Sequence, residues 1–176
     1  MKTITKVLAG ATISAALVLM PFVAARAQSA NSEVNVTVAE GISLAVSGDV
    51  SISTIANQGV STGAHTVTVT TNSSTGYDLN LESAEASTAL EHTTTASTIA
   101  ASPTVAGTLA ADTWGYNTPT MTAGQYSGVT PNGTQAVIGG SATPGVHATQ
   151  VEWGVNVATA EPGTYNRTVV YTATAR

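Results

Sequence analysis

The sequence predicts an all-β domain, an antiparallel β-sandwich whose two sheets pack face to face. Three observations predict it. Apolar and polar residues alternate with period two along several short segments, so each has one face for the core and one for water. Thr, Ser, Val, Ala and Gly dominate beyond residue 27, and Thr and Val favour pleated strands. The one candidate helical turn, residues 86–92, runs into Thr93-Thr94-Thr95 and then Pro103, which argues against a long helix.

Each element follows in order. Val34, Val36 and Val38 alternate with Asn35 and Thr37. Ile42, Leu44 and Val46 follow the break at Glu40-Gly41, and Val50 and Ile52 begin another short run. Thr66, Thr68 and Thr70 then alternate with Val67 and Val69. Residues 72–76, Asn-Ser-Ser-Thr-Gly, carry turn chemistry and predict a hairpin into the next strand. There Tyr77, Leu79 and Leu81 alternate with Asp78, Asn80 and Glu82. Residues 83–111 are less regular. Residues 117–145 carry three prolines and many glycines, predicting loops around one or two short strands such as 135–138. Val151, Trp153, Val155 and Val157 alternate with Glu152, Gly154 and Asn156, and Tyr165, Val169 and Tyr171 share one parity in the last segment.

The amino terminus predicts a compartment. Lys2 and Lys6 precede an apolar run from residue 7 to about 25, interrupted by Pro21, and Ala25-Arg26-Ala27 supplies a small–x–small pattern. This reads as a secretory signal peptide over residues 1–27, cut before Gln28. The competing reading is a membrane anchor, which Gly10, Thr12, Ser14 and Pro21 weaken. Residues 28–176 are then one domain of 149 residues, secreted, extracellular or attached to the cell surface.

Charge and cysteine usage exclude whole classes. The chain has no cysteine, so disulfides, thiolate metal sites and cysteine nucleophiles are impossible. Beyond the leader, Arg167 and Arg176 stand against ten carboxylates, a net charge of −8. Such a surface does not suit phosphate, so no nucleic-acid partner is expected. No lysine follows Lys6, which excludes a lysine–asparagine isopeptide crosslink in the exported domain.

Catalytic constellations are missing. His65, His92 and His147 show no HxH or HExxH spacing and read as solvated polar residues, His65 at a strand start. Neither a GxSxG elbow nor a P-loop appears. Glu82, Glu85 and Glu91 cluster in sequence but match no calcium loop, and read as a solvated acidic edge. The expectation is a protein without catalysis, cofactor or metal. The sequons at Asn35, Asn72, Asn132 and Asn166 are of the kind a Thr-rich chain produces by chance.

The aromatic residues offer two readings. Trp153 shares parity with three valines and belongs to the core. Trp114 and Tyr116, in Trp114-Gly115-Tyr116-Asn117, are candidates for a sugar-stacking ligand platform or for a core-edge pair closing the sandwich.

The most specific segment is Glu161-Pro162-Gly163-Thr164-Tyr165-Asn166-Arg167, which leads into Val169-Val170-Tyr171. Its acid, Gly163 and Tyr165 resemble the tyrosine corner of immunoglobulin-like sandwiches, which implies structural roles for Glu161, Gly163 and Tyr165. Together with the segments VTVTTNSSTGYDLNL, DTWGYN and VEWGVNV, this ending resembles secreted immunoglobulin-like surface domains of bacteria. Trp114-Gly115-Tyr116 and Trp153-Gly154-Val155 are similar to the paired motifs of WxL cell-wall-binding domains, with another residue in place of leucine. That resemblance implies a structural, adhesive or wall-associated role and a partner at the cell surface: a cell-wall polymer, a glycan or a protein. The ending PGTY…VVYTATA is also similar to spore-coat-U-type and chaperone–usher pilins, which implies self-assembly by strand donation. An extracellular carbohydrate-binding module is the third expectation.

Overall fold

Segments that alternate apolar and polar residues build the sheets. The computed structural model describes residues 33–176, and among these it contains no helix. Val38–Arg176 forms one compact unit. Its strands are β1 (Ile42–Val46), β2 (Val60–Thr71), β3 (Tyr77–Ser83), β4 (Leu90–His92) and β5 (Thr98–Ala101), then β6 (Thr113–Asn117), β7 (Ala136–Ser141), β8 (Gly145–Asn156), β9 (Tyr165–Asn166) and β10 (Val169–Ala175). The larger sheet, curled as a half-barrel, has the order β1-β2-β8-β6-β5-β4-β9, and the smaller has β10-β3-β7. Every pair is antiparallel except β5–β6.

The inward parity of each strand makes the core. Val67 and Val69 from β2, Val151, Trp153 and Val155 from β8, and Trp114 and Tyr116 from β6 are buried with Tyr77, Leu79 and Leu81 from β3 and Ile138 from β7. Each such side chain contributes roughly 1.5–3 kcal/mol by leaving water. The longest ladder joins β2 and β8 over all twelve positions, from Val60↔Asn156 to Thr71↔Gly145.

Several connections differ from the sequence reading. The turn at 72–76 is no hairpin: β2 and β3 lie in different sheets. Both edges of β2 are taken, by β1 and β8, so the chain must cross to the other sheet. Gly76 makes that arch with φ of 81°. β8 begins six residues before the expected strand, at Gly145. The last segment is two strands: β9 pairs with β4 in the large sheet, and after Arg167-Thr168 the chain enters the small sheet as β10, against β3. Val50 and Ile52 form no strand. They pack over Gly63, where a Cβ would sit 2.8 Å from Val50 Cγ1.

The segment ahead of β1 is exposed. Val34, Val36 and Val38 are 83%, 79% and 76% exposed and join no strand among the described residues. Its root is held by the Asn72 side chain, which accepts from Gly41 N at 2.6 Å and donates to Ala39 O at 2.9 Å. The expected signal peptide, with Ala25, Ala27 and Gln28, lies outside the described residues.

Candidate binding cleft

A cleft of about 940 Å³ lies between residues 46–54, which follow β1, and the return 163–171 through β9 into β10. Ile99, Trp114, Trp153 and Val155 line it from the large sheet, and Val169 and Tyr171 from the last strand. Trp153 is the hub of its aromatic floor. It stacks on Trp114 with centroids 5.4 Å apart, and meets Tyr116 at 5.9 Å and His65 at 6.4 Å edge-on. A second cavity of about 280 Å³ lies by Tyr116, Thr118, Met121 and Ile138.

The two Trp-Gly-x triplets meet in register on adjacent strands. Trp114 pairs with Val155, Gly115 with Gly154, and Tyr116 with Trp153. Neither glycine has room for a side chain. A Cβ on Gly115 would lie 2.6 Å from Ser127 O, and one on Gly154 would lie 2.5 Å from the Tyr126 ring. That ring therefore lies on β8, and its hydroxyl donates to Glu152 Oε1 at 2.8 Å. Burial first, and the neighbouring carboxylate second, push the Tyr126 hydroxyl up to about 12.

Trp114 and Tyr116 are each only 5% exposed, which corrects the idea of a surface stacking platform. The physical reason is the cross-strand register, which sets Trp114 against Trp153 and aims its Nε1 at Thr88 O, 3.1 Å away. Only the edge of Trp114 that reaches the cleft remains open to a ligand.

Histidines expected to be solvated are structural. His65 sits within β2, not at its start, with Nδ1 2.9 Å from Gly48 O and Nε2 2.6 Å from Tyr171 Oη. It ties both walls of the cleft to the floor. Burial raises the Tyr171 hydroxyl far above its ordinary range. His92 Nδ1 lies 3.2 and 3.1 Å from the amides of Thr94 and Thr95, and its Nε2 is 3.3 Å from Pro162 O. His147 Nε2 is 3.0 Å from Thr143 O.

The corner segment is built around a tyrosine and a buried arginine. Tyr165 donates its hydroxyl to Glu161 O at 2.9 Å and shares a hydrogen bond with Ser97 Oγ at 3.0 Å. Glu161 accepts from Thr95 Oγ1, and Gly163 lies directly against the His92 ring. The Arg167 side chain, only 2% exposed, donates from Nε to Ala89 O at 2.7 Å and forks onto Glu85 and Glu91. Glu85 and Glu91 are exposed, as a solvated acidic edge would be, yet both also pair with Arg167, and Glu82 accepts from Gly133 N at 2.8 Å. The Arg167 guanidinium holds the Glu91 carboxyl below its ordinary range. Arg167→Met is expected to lower stability by about 2 kcal/mol, through the lost bond to Ala89 O. The half-exposed acids return to water and add little. Arg167→Lys should not restore the loss, since lysine has a methylene where Nε–H meets Ala89 O; urea midpoints of the three proteins check both statements.

Asp112 caps the far end of β8. Its carboxylate accepts from Thr159 Oγ1 at 2.6 Å and from the amides of Ala158, Thr159 and Ala160 at 2.8, 2.9 and 3.2 Å. The Thr159 hydroxyl, then these amides, hold its carboxyl far below the ordinary range. A carboxyl lowered on folding stabilises fully above its unfolded value, near pH 4, and the benefit is lost as pH falls further. Asp112→Asn keeps the left-handed backbone (φ 55°) but loses the charge. It should be less stable at pH 7 and lose less than the parent between pH 5 and pH 2, as read by thermal midpoints.

Fold and site together define an all-β protein of two sheets with an aromatic-floored cleft between its edges. Compared with protein-family models, curated proteins and solved structures, the chain matches none.

Proposed function

We propose that this chain is a noncatalytic protein of a bacterial surface, an immunoglobulin-like β-sandwich with a structural, adhesive or wall-associated role. It would reach the surface through the amino-terminal leader and hold a wall polymer, a glycan or a protein there. The observation that carries the reading is the cleft: about 940 Å³, with Trp114 and Trp153 in its lining beside Ser53, Thr54, Thr164 and Asn166. His65, His92 and His147 each bond backbone carbonyls or amides, and Asp112, Glu85 and Glu91 are tied by hydrogen bonds or ion pairs. Co-sedimentation of the chain from Gln28 with isolated cell walls and insoluble glycans tests the reading. Retention by one of these polymers, lost in Val50→Asp at the cleft wall, is the expected result. A chain left in the supernatant by every polymer overturns wall attachment.

A second reading, a subunit that assembles by strand donation, is favoured by a separate observation. Val34, Val36 and Val38 form an unburied apolar stripe, and β1 and β10 each pair on one side only. An SDS-resistant ladder that collapses on boiling supports it. One monomer band in boiled and unboiled lanes removes it.

A further inference from the structure

Two histidines fasten the walls of the cleft, and their partners fix how each ring carries its proton. A backbone carbonyl can only accept and a backbone N–H can only donate. His65 Nδ1 faces Gly48 O, so it bears the hydrogen, and its bare Nε2 accepts from Tyr171 O–H. His92 is the reverse: bare Nδ1 accepts from the amides of Thr94 and Thr95, and Nε2–H points to Pro162 O. The two rings hold opposite neutral tautomers.

They differ in what one more proton does. A proton on His65 Nε2 meets a hydroxyl, which can rotate and accept instead of donating. On His92 Nδ1 the proton meets two amide hydrogens and no lone pair except that of Thr94 Oγ1, 3.4 Å away. Both amide bonds are then lost. The ring is also the bed of the corner: Gly163 lies on it without a side chain, and the Tyr165 ring meets it edge-on at 4.9 Å. Gly163, Thr164 and Tyr165 form one wall of the cleft.

We propose that His92 is a proton-sensitive latch beside the cleft wall: neutral, it fastens the 93–97 turn to the Pro162–Tyr165 corner, and protonated, it releases the turn while Nε2–H keeps its bond to Pro162 O. Histidine is the side chain whose ordinary titration falls between pH 5 and pH 8. The charged and titratable groups around the ring are Tyr165 on β9, Glu161 on the preceding turn, and Glu91 on its own strand, which is held by Arg167. The consequence for binding rests on reading the cleft as the ligand site. The latch itself does not.

The test needs no ligand, so its failure is separate from failure of the binding reading. Imidazole nitrogen shifts of the ¹⁵N-labelled chain from Gln28 at pH 8 should show hydrogen on His92 Nε2 and none on Nδ1. Amide exchange of Thr94 and Thr95, corrected for its intrinsic pH dependence, should lose protection by roughly tenfold between pH 8 and pH 5. In His92→Asn, whose amide oxygen accepts in place of Nδ1 and does not titrate, protection should stay level from pH 8 to pH 5. A hydrogen on Nδ1 at pH 8, or parent protection that does not change with pH, overturns the proposal without recourse to the variant. An equal pH response in a folded His92→Asn also overturns it and points to His65.

Discussion

Replacing Gly76 with alanine is expected to destabilise the protein by about 3 kcal/mol or more, because two costs combine at that position. The backbone there has φ of 81°, a conformation that costs a side-chain-bearing residue on the order of 1–3 kcal/mol. A Cβ would also overlap the Ser141 carbonyl oxygen, so the 72–76 arch or the end of β7 must move. Forcing a backbone shift of that kind costs typically about 1–3 kcal/mol more. Gly124 separates the two. Its φ is 76°, yet nothing lies within 4 Å of the place its Cβ would take, so Gly124→Ala carries the strain alone. Urea denaturation of both variants decides the matter. Equal losses would mean that the arch relaxes freely and that contact with Ser141 does not constrain it.

Trp153→Ala should cost about 3–5 kcal/mol, the range for truncating a buried tryptophan. Trp153 is 6% exposed, stacks on Trp114 and supports Tyr116 and His65 edge-on. Its removal would enlarge the cleft at the floor and leave Trp114 and Tyr116 without their ring partner, while His65 keeps Tyr171. Trp153→Phe should retain most of the stability because a ring still fills the hub. Thermal and urea midpoints check both; a loss below about 1 kcal/mol for alanine would mean that the floor collapses to fill the space.

The faces of the central strands were legible in the sequence, and their connections were not; β1 departs from this, since Ile42, Leu44 and Val46 are exposed. Parity alone places Val67, Val69, Tyr77, Leu79, Leu81, Val151 and Trp153 inward, and all are buried. Parity does not say which strand pairs with which. Residues 72–76 have the same turn chemistry whether they close a hairpin or carry the chain between sheets, and only the occupied edges of β2 decide it. Trp114 and Tyr116 also share a parity, a signal that they face inward together. His65 gave no local sign of its role, because Tyr171 lies 106 positions away. Arg167 did leave a trace: one of two cations beyond residue 27, against ten carboxylates and just after Tyr165, is a natural partner for clustered glutamates. The corner itself was readable because its contacts are local, with Tyr165 bonding the carbonyl four residues earlier.

The β2–β8 ladder also governs when the protein can fold. It pairs position 60 with 156 and position 71 with 145, so the central pairing of the large sheet joins parts of the chain far apart in sequence. Loop closure must come before those contacts return any free energy, which places such topologies in the slow, millisecond-to-second range. A chain emerging from its amino end has β2 exposed, its valine row uncovered, until Gly145–Asn156 has followed it out. Until then the edge that will receive β8 is open to any other strand, and the interval between the two is when this protein is most exposed to mispairing.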